Sequence, residues 1–133
     1  MIKNGAQFTC QKREDALVVQ VRGEIDHHSA VAVRTELDEK ITAERPSRVI
    51  LELSAVDFMD SSGLGLIMGR YALMKEIGGD MVVTDPAAGV EKVLKLAGLE
   101  RMVRIERKTA REVPQSAVQD KPRVRRTRKE VLK

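Results

Sequence analysis

Two short polar segments carry the side chains with the most obvious chemical potential. Asp60-Ser61-Ser62-Gly63 sets two hydroxyls directly after a carboxylate, and Asp26-His27-His28 sets two imidazoles after another. Serine, histidine and aspartate are the components of a nucleophilic triad, and histidines with carboxylates can bind a metal ion. The first segment also precedes a run with helical apolar spacing, which leaves open a purely structural interpretation as a helix N-cap.

The enzymatic interpretations lack the patterns that they require. Ser61 does not lie in the G-x-S-x-G sequence of a nucleophile elbow. His27 and His28 are adjacent, so they point in different directions on a helix and lack the further Cys or His ligands of a metal site. Gly63-Leu64-Gly65 is not followed by the Gly-Lys-Ser/Thr of a P-loop. We therefore predict no catalysis, no cofactor and no metal, and we place both histidines on solvent-facing positions of a first helical turn.

Phosphorylation is a chemistry that suits a hydroxyl at a helix N-terminus. A phosphate there would meet free backbone N–H groups and the positive end of the helix dipole. It would bring about −1.5 to −2 charges, which Asp60 and Asp26 would repel. Modification of such a serine is predicted to change the surface potential with little backbone movement, and so to disable an interface.

Five short segments have the composition and alternation of β-strands. The first two form a hairpin about Glu14-Asp15, and Gly23 is expected to end the second. The third is nearly all apolar, which is typical of a central strand covered on both faces. The five segments are 7–12, 17–21, 49–53, 81–83 and 102–105.

Three helices are predicted between these strands. They begin after Asp26, at Ser61 or Ser62, and at an Asp85-Pro86 cap, and they stop at Pro46, Gly78-Gly79 and Gly98. The order β-β-α-β-α-β-α-β indicates an α/β fold with a mixed, mostly parallel sheet and one hairpin edge. If the strands before Asp26 and Asp60 are parallel neighbours, both polar segments lie on one rim of the sheet.

Composition indicates one small domain with a basic tail. The chain has 133 residues, 42% apolar and only 2% aromatic, so its core must be aliphatic. The net charge of +4 comes from residues 121–133, which hold seven Lys/Arg and one Glu, whereas residues 1–120 have a net charge of −2. We predict a domain at 1–113 and a disordered tail at 114–133.

The partners that composition excludes are a membrane and a specific nucleic acid. No apolar run approaches the ~20 residues of a membrane helix, and the N-terminus lacks a signal-peptide region, so we expect a cytoplasmic protein. The tail could contact nucleic-acid phosphates without sequence preference, but no aromatic residues interleave its charges. The single Cys10 is predicted to be a small strand residue.

Several motifs resemble one family, the anti-sigma-factor antagonists of spore-forming bacteria, which are single STAS domains. The resemblance rests on residues 59–65 (MDSSGLG) and 68–71 (MGRY), with 23–28 (GEIDHH), 77–83 (IGGDMVV) and the Leu-x-Leu strand at 51–53. It spans roughly residues 7–106 and is strongest to the antagonists of the sporulation sigma-F switch. Relatives have a fourth amphipathic helix at the C-terminus, where this chain has Pro114 and the basic run.

The resemblance implies a partner-switching mechanism. In that family the unphosphorylated antagonist binds an anti-sigma factor that is also an ATP-dependent serine kinase, and this binding releases the sigma factor. Phosphorylation then dissociates the antagonist, and a serine phosphatase regenerates it, with no direct sigma-factor binding expected. The matched phosphorylated residue is Ser61, with Ser62 as its neighbour and helix cap.

The resemblance also implies a set of phosphosite neighbours and partner contacts. Asp26 matches the acidic position near the phosphosite, and Arg70 is included from its position on the second helix. The set is Asp26, His27, His28, Asp60, Ser62, Gly63, Gly65 and Arg70. The free protein is expected to be a monomer. An open alternative is a STAS interaction module of another regulatory, stress-signalling or scaffold complex that such a kinase does not phosphorylate.

Overall fold

Strands and helices alternate along residues 6–107, the part of the chain that the computed structural model describes. The strands are β1 Gln7–Arg13, β2 Ala16–Ile25, β3 Arg48–Met59, β4 Asp80–Thr84 and β5 Arg104–Glu106. The helices are α1 His27–Glu44, α2 Ser61–Glu76 and α3 Ala88–Leu96, followed by a 3-10 turn at Leu99–Arg101. The predicted order β-β-α-β-α-β-α-β is confirmed. The predicted tail and the boundary at residue 113 lie outside the described residues.

The five strands form one sheet in which strand order equals chain order. The β1–β2 pair is an antiparallel hairpin, and β2–β3, β3–β4 and β4–β5 are parallel, as predicted. Each parallel crossover steps in the same direction, so right-handed connections place all three helices on one face. That face of β3 buries Val49, Leu51 and Leu53, whereas Ile50 and Glu52 on the opposite face are half-buried. The expectation that β3 is covered on both faces is therefore wrong for the described elements.

The core between sheet and helices is aliphatic, as the composition predicted. Helix α1 follows the predicted spacing and buries one stripe of its surface, and α2 and α3 add buried residues to the same layer. Full burial of one such Leu, Ile or Val side chain stabilises the fold by about 1.5–3 kcal/mol. The helix residues in this core include Ala30, Val33, Leu37, Ile41, Leu66, Ile67, Met74, Val90 and Leu94.

Strands β2 and β3 run further than the sequence predicted, and this extension carries the polar segments. Gly23 does not end β2, because its φ of 93° lies in the region that glycine tolerates and lets the strand shift register and continue to Ile25. Strand β3 keeps pairing with β2 as far as Met59. The two strands therefore end together, immediately before Asp26 and Asp60.

Helix α3 does not start at the predicted Asp85-Pro86 cap. Its N-cap position is Ala87, and no side chain caps it. Asp85 is buried with a φ of 49°, and its backbone N–H donates to the carbonyl of Glu106 at 2.8 Å. Asp85 thus extends the pairing of β4 with β5, and the helix begins two residues after Pro86.

Candidate functional site

The carboxyl ends of β2 and β3 form the rim that carries the candidate site. Ile25 and Met59 are register partners in the parallel pair. The backbone N–H of Asp60 donates to the carbonyl of Ile25 at 3.2 Å, which ties the two turns together. The prediction that Asp26 and Asp60–Ser62 share one rim is confirmed.

The start of α1 is closed by a reciprocal pair of hydrogen bonds. The Oδ1 atom of Asp26 accepts from the backbone N–H of Ser29 at 2.9 Å, and the Oγ atom of Ser29 accepts from the backbone N–H of Asp26 at 3.0 Å. The same Oγ donates to the carbonyl of Glu24 at 2.9 Å. The bond from the Ser29 N–H, followed by that from its hydroxyl, lowers the pKa of Asp26. Ser29 is buried, so its hydroxyl is fully engaged in this cap.

The start of α2 uses the same kind of cap but leaves a hydroxyl exposed. Asp60 has an extended backbone, and its Oδ1 accepts from the backbone N–H of Ser62 at 2.8 Å. Ser61 is the first residue of the helix and is exposed, while Ser62 is half-buried. The prediction that Ser62 is the helix cap is wrong: Asp60 is the cap, and Ser62 provides the N–H that is capped.

Gly63 lets the first turn of α2 rest on the end of β3. It is buried, and a Cβ atom at this position would overlap Cγ and Sδ of Met59. Gly65 is exposed, and a Cβ atom there would have open space around it. Of the two glycines in the predicted set, Gly63 is therefore required by packing, whereas the missing side chain at Gly65 leaves open space at the surface of α2.

The family is decided by comparison with known proteins. The STAS domain model matches residues 7–112. An anti-sigma F factor antagonist of Paenibacillus polymyxa is 38% identical over 99 residues, which cover 74% of this chain and 85% of that protein. This chain belongs to the STAS-domain family of anti-sigma factor antagonists. This STAS protein is also 28% identical to an anti-sigma-B factor antagonist of Bacillus subtilis over 99 residues, 74% of this chain and 89% of that protein.

Two solved structures match this STAS domain over their full length. The unphosphorylated anti-sigma factor antagonist SpoIIAA aligns with a TM-score of 0.70 and 26% identity, over 85% of this chain and 100% of that one. The phosphorylated form of the Bacillus cell fate determinant SpoIIAA aligns with a TM-score of 0.64 and 25% identity, over 84% and 100%. The STAS fold and the antagonist family are thus supported by both sequence and structure.

Arg70 does not lie on the outer surface of the STAS domain. It is only 8% exposed, and its Nε atom is 2.9 Å from Oδ1 of Asp38 on α1. This contact is an ion pair between α1 and α2. The same guanidinium donates weakly to the carbonyl of Leu66 at 3.4 Å. Arg70 therefore holds α1 against α2, and its contact with a partner stays a prediction.

The two histidines occupy the first turn of α1 and face solvent, in agreement with their predicted placement. Both are exposed, and their ring centroids are 6.3 Å apart with planes at 84°. Across residues 6–107, no group of three or more His, Cys, Asp or Glu side chains could hold a metal ion. Nor does that part of the chain contain a helix long and apolar enough to span a membrane.

Sequence reasoning missed two surface features near the rim. Phe58 is 50% exposed, three residues before Ser61, although an aromatic residue in a strand is usually buried. A groove of about 250 Å³ also lies between the first turns of α1 and α2. It could not be read from either helix alone, because residues far apart in the chain form it. Its lining consists of His27, Ala30, Val31, Arg34, Ser62, Gly65 and Leu66.

Proposed function

We propose that this protein is an anti-sigma factor antagonist that works by partner switching, with Ser61 as the phosphorylated residue. The unphosphorylated form binds an anti-sigma factor that is a serine kinase, and binding frees the sigma factor. Phosphorylation of Ser61 ends that binding, and a serine phosphatase restores it. The protein acts in the cytoplasm as a partner and a substrate, not as an enzyme, and does not contact the sigma factor itself.

The observation that carries this proposal is the exposed hydroxyl of Ser61 at the first position of α2. Asp60 caps the helix through the N–H of Ser62, so the Ser61 side chain is not needed to start the helix. A kinase can therefore reach the hydroxyl without opening the fold. The buried, doubly bonded Ser29 on the neighbouring turn offers no such access.

Electrostatics explains how a phosphate at this position would act as a switch. The phosphate would add about −1.5 to −2 charges beside the carboxylate of Asp60, with Asp26 on the same rim. The helix dipole and the free N–H groups of the first turn would offset part of this repulsion and keep α2 folded. The modification therefore changes the charge of the rim and leaves the backbone in place. A partner docked on this rim loses affinity.

The other predicted site residues have different proposed roles, which follow from their positions in the structure. Asp26, His27 and His28 form the neighbouring turn and supply polar contacts to the partner. Gly63 fixes the angle at which α2 leaves β3, and Gly65 keeps the surface beyond Ser62 accessible. Arg70 acts through its ion pair with Asp38. These roles are part of the proposal and are tested with it.

The decisive experiment is intact-mass measurement after incubation with an anti-sigma factor serine kinase and ATP, followed by peptide mapping. We expect one added phosphate on Ser61. Ser61→Ala should abolish the added mass and keep binding, and Ser62→Ala is the matched control that should still be phosphorylated. Ser61→Asp should weaken binding, although a single carboxylate has less charge than phosphate. One phosphate on the Ser61→Ala variant would contradict the assignment and point to Ser62.

A second candidate is a STAS interaction module of a stress-signalling complex. The similarity to an anti-sigma-B factor antagonist favours testing kinases of both the sigma-F and sigma-B systems. Phosphorylation by the sigma-B kinase alone would support a stress-pathway antagonist. If neither kinase adds mass, the phosphorylation switch is contradicted, and the remaining function is that of a STAS binding module.

A further inference from the structure

The groove between α1 and α2 lies directly beside the proposed phosphosite. Ser62, which follows Ser61, forms one end of the lining, and Gly65 and Leu66 continue it along α2. Helix α1 supplies the facing wall from His27 to Arg34. A segment of another protein that occupied this groove would therefore contact Ser62, the residue next to Ser61 in the chain.

Part of the groove lining is apolar. Ala30, Val31 and Leu66 belong to this part, and Val31 is 43% exposed. Gly65 leaves open space above its backbone. This combination of exposed apolar wall and empty volume suits a protruding apolar side chain of a partner.

The charge in the groove has one sign. Its charged or titratable lining residues are His27 and Arg34, and no carboxylate lines it. Asp38, one turn further along α1, is already paired with Arg70. Within residues 6–107, Arg34 takes part in none of the ion pairs. A carboxylate is therefore the group that would complement Arg34, and an approaching cation would meet like charge.

We propose that this groove receives a segment of the anti-sigma factor kinase in which an apolar side chain stands next to an acidic residue. The inference rests on the proposed function, because it names the contact that brings the kinase to Ser61. The apolar side chain fills the space over Gly65, and the carboxylate pairs with Arg34. A phosphate on Ser61 then adds negative charge beside Ser62, at the end of the groove away from Arg34. An acidic segment docks less tightly on this more negative rim.

The first test fills the groove. Gly65→Leu adds a side chain at the groove where a Cβ atom meets nothing within 4 Å, and Gly89→Leu is the matched control in α3, where a Cβ atom also meets nothing. Binding of the full-length protein to the purified kinase is measured by titration calorimetry with ADP, so that no phosphate is transferred. We expect Gly65→Leu to raise Kd by about tenfold, as loss of one central apolar contact does, and Gly89→Leu to bind like the wild type. Circular dichroism of both variants confirms that α2 and α3 are folded.

The second test reverses the charge. Arg34→Glu should raise Kd by about tenfold at low salt and make binding less dependent on salt, because an attractive pair becomes repulsive. Lys40→Glu makes the same change of charge on α1 outside the groove lining and should leave Kd within about twofold, as a distant surface charge does.

The outcomes separate this inference from the function on which it rests. A wild-type protein that neither binds the kinase nor gains a phosphate contradicts the proposed function itself. A wild-type protein that binds and is phosphorylated on Ser61, while Gly65→Leu or Arg34→Glu binds equally well, overturns the groove proposal and leaves the switch intact. Weakening by both variants, with both controls unchanged, supports the groove as the docking site.

Discussion

The first turns of α1 and α2 are two versions of one structure. Each follows the end of a parallel strand, each begins after an aspartate in extended conformation, and each aspartate caps the helix through a backbone N–H. In α1, the cap includes Ser29, whose hydroxyl contacts the backbone N–H of Asp26 and the carbonyl of Glu24. In α2, the cap is complete with Asp60 alone, and Ser61 is outside it.

Residue type alone therefore does not determine the role of a serine near the start of a helix. Ser29 at the third helical position is buried and structural, whereas Ser61 at the first position is exposed and chemically available. A shift of two positions within the first helical turn therefore distinguishes a buried, stabilising hydroxyl from an exposed one. Substitutions in each turn test this difference.

The largest loss of stability is expected where the first turn of α2 contacts the end of β3. Gly63→Val should lower the free energy of unfolding by about 3 kcal/mol, because the new side chain overlaps buried Met59. Gly65→Val is the matched control and should change it by less than about 0.5 kcal/mol, since its surroundings are open. Urea denaturation followed by circular dichroism measures both. Equal stability of the two variants would show that α2 can shift away from Met59 freely.

The second-largest loss of stability is expected in the first turn of α1. Ser29→Ala should lower the free energy of unfolding by about 2 kcal/mol, because the N–H of Asp26 and the carbonyl of Glu24 lose their partner. Phosphorylation of Ser61 by the kinase should proceed at the wild-type rate. A fall in phosphorylation without a fall in stability would mean that the two turns are not independent.

A smaller effect is a change in acid stability through Asp26. Its pKa is lowered in the folded protein, so its charged form stabilises the fold above the unfolded pKa of about 3.9, and this contribution is lost as pH falls through the folded pKa. Asp26→Asn keeps a capping oxygen but cannot ionise. Denaturation midpoints between pH 6 and pH 2, a range that brackets carboxyl titration, should therefore fall less steeply in the variant. Parallel curves for the two proteins would contradict the assigned origin of the shift.

The smallest effect on stability is expected at Ser61. Ser61→Ala should change the free energy of unfolding by less than about 0.5 kcal/mol, because Asp60 caps the helix without the hydroxyl. The same denaturation experiment that detects Ser29→Ala measures it. A loss comparable to that of Ser29→Ala would show that Ser61 is structural, and the contrast between the two turns would disappear.

The rim could be predicted from sequence because local patterns define it. The alternation in β2, the apolar run in β3 and the helical spacing after Asp26 and Asp60 are each set within about ten residues, so the order of elements and the shared rim followed from them. The N-cap residue of α2 was harder to predict, because Asp60, Ser61 and Ser62 are all favourable N-cap residues. Only the extended backbone of Asp60 and its bond to Ser62 distinguish them.

Features made by contact between distant segments could not be predicted in the same way. Arg70 has the sequence context of an exposed helix residue, and its burial depends on Asp38 from another helix. The groove combines Arg34 with Gly65, which lie on different elements. Asp85 has the context of a helix cap, but its pairing with Glu106 outweighs that preference. In each case the deciding interaction joins residues that are far apart in the chain.

The agreement between strand order and chain order has a consequence for how the protein is made. Within residues 6–107, each strand from β2 to β5 pairs with the strand synthesised just before it. The sheet can therefore grow in the direction of translation. The turns at Asp26 and Ser61 are complete once α2 ends at Glu76. We therefore expect the rim that carries Asp26 and Ser61 to take shape while β4 and β5 are still being synthesised.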